Sequence, residues 1–193
     1  MVIGLSKFRR DSRGFTLVEL LVVIAIIGIL AAIIAPSAFK AVEKAKVSRV
    51  VADVRAIKAA GYAYYADIGD WPKAGQDSYD PASGDDYGFL YFIKPDGNAS
   101  WNGPYLEKPP GATPWGGRYR YWKSGITGTV YDAAGNPITV NNTKCAVVTI
   151  GGFPDQGIRD AVDRRIRESV GYSYVGEENG TYYISVIIWM DKL

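Results

Sequence analysis

Arg13-Gly14-Phe15-Thr16-Leu17-Val18-Glu19, running on into Leu20-Leu21-Val22-Val23-Ile24-Ala25-Ile26-Ile27-Gly28-Ile29-Leu30-Ala31-Ala32-Ile33-Ile34-Ala35, is the stretch that decides the fold. From Phe15 to Ala35 there are twenty-one residues, and Glu19 is their one charge. Wound as a helix at ~1.5 Å per residue the run extends ~32 Å, enough to cross a bilayer core. Lys7, Arg9, Arg10 and Arg13 precede it against Asp11, and the positive-inside tendency keeps that end in the cytoplasm. Lys40, Lys44, Lys46 and Arg49 on the far side weaken the asymmetry, but they alternate with Glu43 and lead into a large domain.

Two plainer readings compete. Ala35-Pro36-Ser37-Ala38 imitates the cleavage site of a secretory signal peptide. The apolar run, however, exceeds the ~7–15 residues of a signal core and contains a carboxylate. A simple single-span anchor is not excluded by hydropathy. Glu19 separates it from something more elaborate. A carboxylate within a spanning helix costs on the order of a few kcal/mol and needs a partner. It lies one helical turn after Phe15. A cut before Phe15 creates an α-amine, largely protonated at neutral pH. Ammonium and carboxylate attract strongly in a low dielectric and direct how one helix packs beside the next. An isolated anchor has no use for such a pair.

The short basic leader, the residues from Arg13 to Glu19 and the aliphatic helix behind them resemble the N-terminal signal of type IV pilins and pseudopilins. That resemblance implies cleavage between Gly14 and Phe15 by a prepilin peptidase on the cytoplasmic side, then N-methylation of Phe15. It implies that Glu19 pairs with the Phe15 amine of a neighbouring subunit during assembly. Pro36 falls where such helices kink or melt, since proline removes one backbone bond and clashes with the preceding turn. The chain then divides into a leader peptide (1–14), a transmembrane and assembly helix (15–36) and a periplasmic or extracellular head (37–193). The precursor sits in the cytoplasmic membrane as a single-pass protein. Its implied partners are further copies of itself, other pilins or pseudopilins, the peptidase, an inner-membrane assembly platform and membrane lipid.

Beyond Pro36, apolar residues recur three and four apart through Ala38, Phe39, Val42, Ala45, Val47, Val50, Val51, Val54, Ile57 and Ala60. Such a stripe predicts a half-helix docked on a sheet rather than a solvated stalk. Gly69 and Pro72 mark its end, so the predicted helix covers Phe15 to Asp67, 53 residues and roughly 80 Å. Residues 72 to 117 read as structured loop with a short helix near Tyr87–Phe92. Alternation predicts strands near 118–123, 126–132, 137–141, 144–150, 172–176 and 181–189, with a hairpin at Asp132–Pro137. Gln156 to Ser169 reads as a helix with Ile158, Val162 and Ile166 on one face. The fold class is α+β: a pilin-like long helix packed on an antiparallel sheet.

Trp101-Asn102-Gly103-Pro104-Tyr105-Leu106, Pro109, Pro114-Trp115-Gly116 and Tyr119-Arg120-Tyr121 supply fixed turns and aromatics that pin a loop to the sheet. The pattern resembles the major pseudopilin of type II secretion, with one departure: Thr113 stands where that family has Asp. The resemblance implies a pseudopilus subunit driving the export of folded proteins. The alternative is a type IV pilus subunit for adhesion, motility or DNA uptake. The pseudopilin's calcium site lies in an Asp-rich C-terminal loop that has no residue-by-residue match here. Asp77, Asp80, Asp85 and Asp86 gather oxygens suited to calcium, but their spacing is not that of an EF-hand, and a solvated acidic loop explains them as well.

Composition narrows the remaining classes. The chain has no histidine, which removes His-based triads and His-ligated zinc, and no phosphate-binding glycine loop. Asp155, Asp160 and Asp163 are the best carboxylates for a membrane-anchored enzyme. They lack a nucleophile, and Asp160 and Asp163 alternate with Arg159, Arg164, Arg165 and Arg167 as on a solvated face. The reading is a structural subunit, not an enzyme, with no cofactor. Net charge is +2, and without the leader eighteen basic residues face nineteen acidic ones, so nucleic acid is not the main partner. Cys145 is the sole cysteine, beside Ala146, Val147 and Val148, and reads as a buried strand residue.

Overall fold

A computed structural model describes residues 14–74 and 87–191. Residues 1–13 of the leader and the aspartates at 77, 80, 85 and 86 lie outside the described residues. The elements are α1 (Leu17–Ile68), α2 (Leu90–Ile93), β1 (Tyr119–Tyr131), β2 (Pro137–Phe153), α3 (Gln156–Val170), β3 (Tyr172–Glu178) and β4 (Thr181–Met190). The chain separates into two compact units, one ending at Glu43 and the other covering Lys44–Leu193.

In the first unit the described residues form the front of α1, and every one with an assigned burial up to Val42 is exposed. The most apolar eighteen-residue window of this helix has a mean hydropathy of 3.1 and none of it is buried. By length and composition it is able to cross a membrane. Helical structure continues through Pro36. Proline has no N–H for the carbonyl one turn back, and the Ser37 hydroxyl donates to Ile34 O at 2.8 Å beside that gap.

In the second unit Val50, Val54, Ile57, Gly61 and Tyr64, four and three apart, are the buried line of α1. Val50, Val54 and Ile57 share one core with alternate strand residues: Ala146, Val148 and Ile150 of β2, and Ile184, Val186 and Ile188 of β4. Val162, Ile166 and Val170 of α3 complete this core. Within this unit the docked stripe begins at Val47. Phe39 and Val42, which the sequence pattern included in the stripe, belong to the first unit and are exposed there.

The sheet is antiparallel in the order β1-β2-β4-β3, and a single pair, Tyr131 with Ser173, brings β1 round to β3 and closes it. Curling buries the second face too, where Val130, Val140, Cys145, Val147 and Ile187 pack together. Cys145 is fully buried, as its apolar neighbours implied.

Four strands replace the six segments predicted. The expected gap around Ser124–Gly125 is continuous ladder, because Ser124 pairs with Cys145 and Gly125 with Lys144. The gap expected at Asn142–Thr143 is strand as well: a β-bulge lies there, with Ile126 paired to Thr143 and Gly128 to Val140, so Asn141 and Asn142 oppose Thr127 alone. Asn142 takes φ 45°, and its N–H is held by the Thr127 hydroxyl at 2.9 Å. The β1–β2 turn falls where Asp132–Pro137 placed it, with Asp132 Oδ1 accepting from Asn136 N at 2.8 Å. Asp155 caps α3 by accepting from Ile158 N at 2.8 Å.

Candidate assembly site at the start of the long helix

Helical structure begins at Leu17, so the Gly14–Phe15 peptide lies in irregular, exposed backbone just ahead of it. Phe15 is 83% exposed, and a Cβ built on Gly14 meets nothing within 4 Å. A peptidase needs an unwound, reachable bond, and this one is both.

Glu19 is tied to Thr16 by three contacts. Thr16 N and Thr16 Oγ1 each donate to Glu19 Oε2 at 2.8 Å, and Glu19 N donates to Thr16 Oγ1 at 3.2 Å. Leu20 N bonds Thr16 O at 3.2 Å, which makes Thr16 the N-cap and Glu19 the third helical residue. This is a reciprocal capping box, satisfying backbone donors that the first helical turn leaves without partners. Reading Glu19 only as a membrane carboxylate overlooked Thr16, although Thr-x-x-Glu before an apolar run is the signature of that box. Both donors address Oε2, and among the described residues no donor addresses Oε1.

The loop after α2 departs from its expected attachment. Tyr105 and Leu106 donate backbone N–H groups to Phe92 O, and the Tyr105 hydroxyl donates to Asp67 Oδ2 at 2.8 Å. The Tyr105 ring meets Tyr64 edge-on at 5.3 Å, and Trp101 packs on Tyr105 at 5.5 Å. These aromatics pin the loop to the end of α1, because Tyr64 and Asp67 supply both a ring and an acceptor there. Trp115 packs against the sheet at Phe153, 5.3 Å between ring centres. Thr113 is buried; its hydroxyl accepts from Gly117 N at 2.9 Å and donates to Gly151 O at 3.3 Å. An ionised Asp could accept from Gly117 but not donate to Gly151, which is why a hydroxyl suits this turn.

The carboxylates considered for catalysis are separately engaged. Asp155 caps α3, Asp160 Oδ1 accepts from Arg159 at 2.8 Å, and Asp163 accepts from Arg167 Nε at 3.0 Å and Ser173 Oγ at 2.5 Å. Among the described residues no three His, Cys, Asp or Glu side chains gather as a metal-binding group.

Comparison with known families agrees with the front of the chain. Residues 9–35 match a family model described as the prokaryotic N-terminal methylation motif. Residues 41–131 match a second model, described as PilW, C-terminal. No curated protein and no solved structure gives a match. The matched spans cover the capped, apolar front of α1 and the region from its docked half to the end of β1. Together they support a type IV pilin-like protein, a structural subunit whose apolar N-terminal helix fits a single-pass inner-membrane precursor.

Proposed function

We infer that the chain is a filament subunit of the pilus or pseudopilus kind, processed between Gly14 and Phe15, methylated at Phe15 and assembled through its N-terminal helix. The observation that carries this reading is the front of α1: a capped carboxylate at Glu19 leading a fully exposed apolar helix. Before assembly lipid covers that surface; afterwards other copies, or other pilins, cover it. Glu19 Oε1 takes the Phe15 ammonium of the neighbouring copy while Oε2 stays on Thr16. Pro36 gives the helix a point at which to bend as it changes surroundings. The precursor is single-pass with residues 1–14 in the cytoplasm and the head outside, and its ATP-driven assembly platform is a separate machine.

Two filament types are supported by different parts of the chain. The match to PilW over 41–131 favours a type IV pilus, in a minor-subunit role. The turn and aromatic pattern from Trp101 to Tyr121 favours a type II secretion pseudopilus. Deletion separates them: loss of surface fibres identifies the pilus, loss of exoprotein release with fibres intact identifies the pseudopilus. The general reading is tested by intact mass of the protein from its native cells, expected to begin at methylated Phe15. In the same cells Glu19→Leu subunits should be processed but excluded from filaments. Recovery of residues 1–14 on the natural protein, or normal incorporation of Glu19→Leu, defeats it.

A further inference from the structure

Three of the six asparagines, Asn98, Asn141 and Asn179, stand two residues before a serine or threonine. Ser and Thr together make up about a tenth of the chain, so this clustering exceeds what composition supplies. The Asn-x-Ser/Thr spacing is that of an acceptor for N-linked glycan, which needs a surface position in a domain outside the cytoplasm. Structure ranks the three. Asn141 belongs to the β2 bulge, where its Oδ1 meets the Thr127 hydroxyl at 3.4 Å. Asn98 is exposed, but its carboxamide oxygen accepts from Ser100 N at 3.0 Å, and Asp96 two residues earlier is held by the Tyr64 hydroxyl.

Asn179 is differently placed. It forms, with Gly180, the two-residue turn between β3 and β4; both take positive φ, 50° and 74°, as a tight hairpin requires. Glu177, Glu178, Asn179, Gly180 and Thr181 are all exposed. Glu178 with Thr181 is the last pair of the ladder, so a transferase has only the tip of the hairpin to loosen. The carboxylates of Glu177 and Glu178 flank the acceptor and offer an anionic handle to a basic enzyme surface.

We propose that Asn179 is the attachment site of an N-linked glycan, with Asn98 a weaker second site. The donor is a polyprenyl-diphosphate-linked oligosaccharide. Asn179 Nδ2 attacks C1 of the first sugar and the N–C1 bond forms. The C1–O bond to phosphate breaks, the lipid diphosphate leaves with the electron pair, and the amide proton passes to a base of the transferase. The proposal rests on the head lying outside the cytoplasm.

The test is peptide mapping by mass spectrometry of the full chain from its native cells, alongside N-terminal mass and protease accessibility of the head in spheroplasts. The tryptic peptide 168–192 should carry an oligosaccharide mass. Thr181→Ala and Asn179→Gln should abolish it, and Thr181→Ser should keep it. An unmodified peptide on a protein that starts at Phe15 and has a protease-accessible head overturns the glycan while leaving the filament reading intact. A head shielded on the cytoplasmic side overturns both.

Discussion

Replacing glycine by alanine within a helix ordinarily stabilises it, by about 1 kcal/mol. Gly61→Ala in α1 should do the opposite. A methyl group at Gly61 would lie 2.1 Å from Trp71 Cζ3, well inside van der Waals contact. Trp71 is 1% exposed and stacks on Trp189 at 5.8 Å, with Tyr62 edge-on at 5.2 Å. Its backbone is also anchored, since Lys123 Nζ donates to Trp71 O at 3.3 Å and the Tyr121 hydroxyl to Pro72 O at 2.8 Å. The ring therefore has little room to retreat. Overpacking a core costs about 1–3 kcal/mol, and the anchored ring places this site at the upper end. Against the helical gain, the net loss is ~2 kcal/mol, or about 4–8 °C in the melting temperature of a unit this size.

All five tryptophans lie in the unit from Lys44 onward, so tryptophan fluorescence of the full chain in detergent micelles follows that unit alone. A thermal melt of Gly61→Ala against the parent protein reads the shift. The decisive comparison repeats the substitution in a Trp71→Leu background, where the clash is gone and Gly61→Ala should raise stability by up to about 1 kcal/mol. If Gly61→Ala alone leaves the melting temperature unchanged or higher, the close seating of Trp71 against α1 is wrong.

Three further outcomes follow from particular contacts. Thr16→Val removes the hydroxyl that serves Glu19 on both sides, a loss of about 1 kcal/mol that should speed amide exchange at Glu19 roughly five-fold, with Thr16→Ser restoring it; equal exchange in all three proteins removes the capping box. Arg167→Ala strands the buried Asp163 carboxylate, with an expected loss of about 3–5 kcal/mol and a melting temperature lower by more than about 6 °C; a shift under about 2 °C shows that the pair is solvated. Asp96 holds its carboxyl below the usual range because the Tyr64 hydroxyl donates to it, with Asn98 N assisting against burial. A folded value below the unfolded one stabilises above the unfolded carboxyl pKa of about 3.9 and is lost as pH falls through the folded value. Melting temperature should therefore fall less steeply below about pH 4 in Asp96→Asn than in the parent; parallel curves refute the Tyr64 contact.

The sequence disclosed most where one physical signal spoke alone. Unbroken hydropathy from Phe15 to Ala35 and the three-four stripe at Val50, Val54 and Ile57 each admit one helical arrangement, and both are present. Strand boundaries failed where polar residues sit inside a ladder. The break expected at Asn142–Thr143 follows from asparagine's tolerance of positive φ, yet a bulge accommodates that φ at Asn142 without ending the strand. Closure of the sheet had no local signature, because Tyr131 and Ser173 are forty-two positions apart and their pairing depends on accumulated curl. At the helix start Thr16 and Glu19 carry the capping-box spacing, a signal separate from the hydropathy and charge that mark the span.

On the filament reading proposed above, the polar pair at the front of α1 matters more than its energy suggests. Fourteen large apolar side chains between Phe15 and Ile34 are exposed, and covering them is worth on the order of tens of kcal/mol at ~1.5–3 kcal/mol each. That sum holds the helix out of water. It does not choose between lipid and filament, because acyl chains are as apolar as leucine and satisfy the same surface. On that proposal, selection of the filament comes from terms that lipid does not supply: close helix packing, and a carboxylate that finds an ammonium. Glu19, oriented by Thr16, is the one charged group in the span able to supply the second. A contribution of a few kcal/mol can thus set register and direction while a far larger one stays neutral between the two surroundings.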